Sequence, residues 1–232
     1  MYVANIFNIS NISASIIDKP VKLSFIVIEP SKQQCEDCFD AESVIEIINS
    51  SHNIKTTNKK IITPNSSKYD KLIKQYEIKN IPAVVVSGDI ANSKITGAWE
   101  ALLGKEKDGS IVIQNLLPFY DITEQKQKGF IDVVLLKDEA CIDCFEATQY
   151  LETLKRSAMM VKNYLVYDVS SAEGKLYVEK YKIKKVPALL MSVAADDYPE
   201  FAESWKEVGT IEPDGWFIFR EVQKTGGKFS EI

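Results

Sequence analysis

Four cysteines fall in two pairs of identical spacing, Cys35-Glu36-Asp37-Cys38 and Cys141-Ile142-Asp143-Cys144, and the chain has no others. Two thiols separated by two residues can close a local disulfide, exchange it with another thiol–disulfide couple, or bind a soft metal ion as thiolates. The match runs on into Phe39-Asp40-Ala41 and Phe145-Glu146-Ala147 at a constant offset of 106 residues. Self-similarity at a fixed offset marks a duplicated structural unit.

The neighbours of the thiols bear on which chemistry is open to them. A closed zinc site needs four ligands. Each pair supplies two, and the only histidine, His52, is at ligand spacing from neither. His52 reads as a surface loop residue rather than a base. Redox exchange and an inert structural disulfide therefore stand ahead of metal binding, and neither a metal nor an organic cofactor is expected. A carboxylate beside a thiol disfavours its thiolate. The first pair encloses Glu36 and Asp37, the second only Asp143. Cys141 is expected to be the more acidic and reactive thiol, and neither site a strong oxidant.

The elements around the pairs repeat as well. Tyr76-Glu77-Ile78-Lys79-Asn80-Ile81-Pro82-Ala83 returns as Tyr181-Lys182-Ile183-Lys184-Lys185-Val186-Pro187-Ala188, at an offset of 105. Trp99 returns as Trp205, and Asp108-Gly109 as Asp214-Gly215, again at 106. Residues 21–29 and 131–136 are apolar and β-branched, as buried strands are. A short polar loop, the cysteine pair and a helical pattern follow each: Phe39, Val44, Ile45 and Ile48, then Phe145, Tyr150, Leu151 and Leu154. Strands are expected near 54–62 and 162–168, helices near 67–76 and 171–181, and apolar strands at 83–87 and 188–193. The Asp-Gly pairs read as tight turns before 111–113 and 217–219. The two tryptophans read as core or hairpin packing. This order predicts an α/β chain with a mixed central sheet in each copy, helices packed on its faces.

A strand, a loop, a C-x-x-C expected at a helix start and a proline opening a buried strand resemble the thioredoxin fold. Two such units in one chain resemble the archaeal-type protein disulfide oxidoreductases and, more distantly, protein disulfide isomerase. The resemblance spans about residues 21–221. It implies two tandem thioredoxin-like domains, 21–118 and 119–232, after an N-terminal arm at 1–20, with a seam near 116–128. It implies that Cys35 and Cys141 are exposed nucleophiles resolved by the more buried Cys38 and Cys144. It implies that Pro82 and Pro187 are cis and lie against the disulfides, and that Ile81 and Val186 offer backbone hydrogen bonds to an extended substrate. An acid six residues before Cys35, Glu29, has the spacing of the proton-transfer acid of thioredoxins, but the reading of a plain acid at the edge of a strand stands ahead of that role. Leu135 holds the equivalent count in the second copy, with Lys137 nearby.

The sequence departs from that family's familiar sites. Gln34 and Ala140 stand where Trp is usual, and neither pair encloses Gly-Pro or a histidine. The resemblance implies a thiol–disulfide oxidoreductase acting on protein or peptide clients. The departures favour an alternative, a thioredoxin-like scaffold or partner-binding domain with structural disulfides.

Composition bounds the rest. The 232 residues suffice for two domains of about 100 each. The net charge of −5 and the lack of a basic stripe argue against a nucleic-acid partner. No apolar run reaches the roughly 18 residues a membrane span needs. Residues 1–17 are interrupted by Asn and Ser and lack a positive n-region, so they read as neither a signal peptide nor a membrane anchor. The expectation is a cytoplasmic protein, or the soluble extracytoplasmic part of a longer one. The oligomeric state is not legible.

Overall fold

The computed structural model describes residues 19–51 and 53–232. Most of the expected N-terminal arm (1–18) and His52 lie outside the described residues. The first half runs β1 (Val21–Ile28), α1 (Glu42–Ser51), β2 (Ile54–Ile62), α2 (Tyr69–Gln75), β3 (Asn80–Ile81), β4 (Ala83–Gly88), α3 (Thr96–Ala101), β5 (Lys105–Lys107) and β6 (Ser110–Ile113). A hairpin of β7 (Phe119–Asp121) and β8 (Lys126–Lys128) follows. The second half repeats the series as β9 (Phe130–Lys137), α4 (Gln149–Arg156), β10 (Met160–Asp168), α5 (Ala172–Tyr181), β11 (Lys185–Val186) and β12 (Ala188–Met191). It continues through α6 (Pro199–Trp205), β13 (Gly209–Ile211), β14 (Phe217–Phe219) and β15 (Ser230–Glu231).

Two five-stranded sheets carry the molecule, ordered β2-β1-β4-β6-β5 and β10-β9-β12-β14-β13. Position for position the two orders are the same. In each, the first two strands run parallel and the remaining neighbours antiparallel, so both sheets are mixed. β1 is buried on both faces because apolar side chains stand at both phases of its pleat. Leu23, Phe25 and Val27 join Val44 and Ile48 of α1 and Trp99 of α3 on one side. On the other, Ile28 meets Ile81, Val85 and Tyr69 of α2. β9 is sandwiched in the same way, with Leu135 against Tyr150 and Trp205, and Leu136 against Tyr181 and Ile183. Trp99 and Trp205 are thus core residues, and each indole N–H donates to a backbone carbonyl, of Ile90 and Thr210.

Local chemistry sets the turns. Asp108 and Gly109 both have positive φ and join β5 to β6, the pattern of a type I′ hairpin. Gly129, between β8 and β9, has φ +83°, and a Cβ there would lie 2.7 Å from Leu117. Its N–H donates to Asp197, which fixes where the chain passes from one half to the other. The hairpin at 119–128 falls by sequence in the second copy, yet it pairs with β3 of the first.

Candidate functional site

Each cysteine pair lies in the loop between a central strand and the helix after it. The bonds are Cys35–Cys38 and Cys141–Cys144. The expected helix start at the first cysteine is not found. α1 begins at Glu42 and α4 at Gln149, so the cysteines stand in loop about two turns earlier. Other partners take the amides a helix would need. The Cys35 N–H donates to the Ser31 carbonyl and that of Cys141 to the Asp138 carbonyl, closing turns of their own. The Phe39 N–H donates to the Pro118 carbonyl (2.7 Å) and the Phe145 N–H to the Lys228 carbonyl (2.8 Å). Asp40 then caps the delayed helix by accepting the Glu42 N–H at 3.0 Å. A helix dipole acts only within about the first turn, so it stabilises neither Cys35 nor Cys141 as a thiolate.

Pro82 lines a hollow of about 200 Å³ with Cys35, Cys38 and Glu29. Pro187 lines one of about 430 Å³ with Cys141, Cys144 and Lys137. Both prolines follow cis peptide bonds, as does Pro118. Three expected residues therefore meet at each site, two cysteines and a proline, and an ionisable side chain, Glu29 or Lys137, joins them. The expected exposure of the first cysteine fails at the first site. Cys35 is 5% exposed, and Cys38 is the more open of the two. The Gln127 side chain reaches from the β7–β8 hairpin to donate to the carbonyl of Gln34, which closes the hairpin down beside Cys35. At the second site Cys141 and Cys144 are both half-buried.

Ile81 and Val186 do not present a free edge. Ile81 of β3 is paired antiparallel with Tyr120 of β7, and Val186 of β11 with Ser230 of β15. Both are fully buried. The backbone edge that the resemblance implies for an extended substrate is filled at both sites by the chain's own downstream segment. The same segments supply the carbonyls of Pro118 and Lys228 that bond beyond each second cysteine. At the second site a parallel bridge joins Cys144 to Lys228. Nothing in the cysteine or proline motifs signals these segments. The only sequence sign is a proline at 118 and paired glycines at 226–227.

The ionisable residues of the two sites differ in sign. Burial pushes the Glu29 carboxyl above its ordinary range, and the nearby carboxylates of Glu42 and Asp40 push it further. At the second site Leu135 has no exposed surface. A buried leucine of this kind contributes about 1.5–3 kcal/mol to the core, and it does not face the disulfide hollow. Lys137 does, and its ammonium is held above its ordinary range by a hydrogen bond and charge attraction from Glu139. Tyr150 is a second residue that sequence reasoning placed only in a helix face. Its hydroxyl donates to the Pro187 carbonyl at 3.1 Å, and burial pushes the phenol well above its ordinary pKa. Its ring packs 5.2 Å from Phe145 and 5.5 Å from Phe219.

No protein-family model and no curated protein matches the chain. Among the described residues no group of three or more His, Cys, Asp and Glu side chains could hold a metal ion. No described helix is long and apolar enough to cross a membrane.

Proposed function

We propose that the chain is a thiol–disulfide oxidoreductase of two thioredoxin-like units, acting on disulfides or dithiols of protein or peptide clients. The observation that carries this reading is the recurrence, in one strand order, of a C-x-x-C disulfide sharing a surface hollow with a cis proline.

The chemistry is dithiol exchange. A client thiolate attacks one sulfur of the protein disulfide, the intramolecular S–S bond breaks, and a mixed disulfide forms with release of the other protein thiolate. The second client thiolate attacks the client sulfur of that mixed bond. The client leaves as a disulfide, and the protein keeps two electrons and takes up two protons as a dithiol. A client disulfide meeting the reduced protein runs the steps backwards. At the second site either sulfur is within reach of the hollow. At the first, the exposure of Cys38 supports attack there rather than at Cys35.

Turnover tests the proposal. A disulfide-linked peptide with excess dithiothreitol is expected to be reduced faster by the wild type than by Cys141→Ser/Cys144→Ser, which retains only the first site. Equal rates for the wild type, that variant and the variant with all four cysteines replaced would overturn it. One observation favours a second reading, a scaffold with structural disulfides: the chain's own backbone fills the edge beside both prolines.

A further inference from the structure

The two self-occupied edges are not equally held. At the first site the covering segment is built in. Pro118 and Phe119 are buried, β8 backs β7 as a third strand, and Tyr120 and Ile122 pack on the core beneath. Both ends of that hairpin continue into central strands, so the segment cannot leave without opening the fold.

At the second site none of residues 228–231 is buried. The segment is held by a two-residue ladder, by the Phe145 N–H donating to the Lys228 carbonyl in the bridge beside Cys144, by the Ile232 N–H donating to the Lys184 carbonyl, and by contacts on the surface. These are the Lys228–Asp143 ion pair (2.8 Å), the Ser230 hydroxyl donating to Asp138 (2.7 Å), and the Phe229 ring under the Lys185 ammonium (4.9 Å). Exposed ion pairs and short exposed ladders contribute little to stability and open locally at small cost. The seat itself is tight, since a Cβ on Gly227 would lie 2.7 Å from the Cβ of Phe145.

We infer that residues 227–232 are an intramolecular strap over the second site. The strap occupies the edge of β11 that an extended client segment would take by antiparallel pairing, and its release admits the client to Cys141–Cys144. The first site, with its buried strap, stays closed to extended peptides and exchanges only with small thiols. The inference rests on the redox reading for its client, but the edge and its occupant stand without it.

Binding and exchange test it separately. A fluorescent peptide of residues 227–232 is expected to bind the full chain with Gly227→Val, and the chain truncated after Gly227, but not the wild type. The reduced variants should react with a disulfide-linked peptide faster than the wild type does, relative to their rate with 5,5′-dithiobis(2-nitrobenzoate). The rise in that ratio should be about tenfold, the factor by which a site open a tenth of the time is slowed, and mass spectrometry should place it at Cys141–Cys144. Added strap peptide should reverse it. Equal peptide binding by wild type and both variants, or binding by none, would overturn the strap. Absence of any disulfide exchange would overturn the redox reading and leave the binding result to decide the strap.

Discussion

Glu29 and Lys137 occupy the same position in the two sheets. Ile28 pairs with Ala83 and Leu136 with Ala188, the alanines that follow the two cis prolines, and the next residue in each strand line is Glu29 or Lys137. Each lines the disulfide hollow of its own half. An anion at this place opposes a thiolate, and a cation supports it. With no helix dipole reaching either pair, this side chain adds to the difference made by the extra carboxylate that the first pair encloses. Lys137→Gln is predicted to move the pH midpoint of alkylation at the second pair upward, and Lys137→Glu further. The first pair should be unaffected, as read by mass spectrometry of the alkylated peptides.

Glu29 also leaves a mark on stability. Its folded-state pKa is raised, so between the ordinary value of 4.5 and the folded value the native state binds the extra proton. Stability therefore falls as pH rises through that window. Glu29→Gln is predicted to remove this fall and to be the more stable protein at pH 7, in urea titrations at several pH values.

Asp168 acts in the opposite sense. Its carboxylate accepts the Ser170 N–H at 2.8 Å and the Glu139 N–H at 2.6 Å, which tie the end of β10 to the loop before Cys141. The Ser170 hydroxyl hydrogen bond, then these backbone bonds, hold its pKa below 3.8. The stability they contribute is complete above the ordinary pKa and is lost as pH falls through the lowered one. Asp168→Asn should cost about 1 kcal/mol at pH 7, with hydrogen exchange accelerated at residues 139–141.

Much of the architecture was legible because β-branched runs and their punctuation write themselves in residue type, even in the largely exposed β2. The run at 54–62 is β2 residue for residue, and the two Ile-Pro and Val-Pro steps are the two cis bonds at the sites. The start of each helix was not legible, because it depends on where Phe39 and Phe145 send their N–H groups. Those partners, Pro118 and Lys228, are about 80 residues further along the chain. The pairing of Ile81 and Val186 with Tyr120 and Ser230 was hidden for the same reason. Short polar segments carry no periodicity, and their register is set by a surface that exists only once the sheet has formed. The match of Glu29 to Lys137 was missed because counting back from the cysteines gives Leu135. The loop before the second pair is two residues shorter, and strand pairing, not sequence distance, fixes equivalence.

Tyr150 joins α4 to Pro187. Tyr150→Phe removes the hydrogen bond to the buried Pro187 carbonyl while keeping the ring. It should cost about 1 kcal/mol, measured by chemical denaturation with both disulfides intact. Val44 stands at the matching place in the first half, so Val44→Ala should cost through lost packing without altering the Pro82 site. A selective change in the reactivity of Cys141–Cys144 in Tyr150→Phe, and none in Val44→Ala, would place Tyr150 among the residues that position the second site.

Disulfides that exchange differ from disulfides that staple in their reduction potential. Equilibrating the full chain in glutathione and dithiothreitol buffers of graded potential, and quantifying each pair by alkylation and mass spectrometry, separates the two. The Cys141–Cys144 pair is expected to titrate reversibly at a potential above about −300 mV, the region of exchangeable rather than structural disulfides. Both pairs remaining oxidised in every buffer above that potential would contradict the proposed exchange.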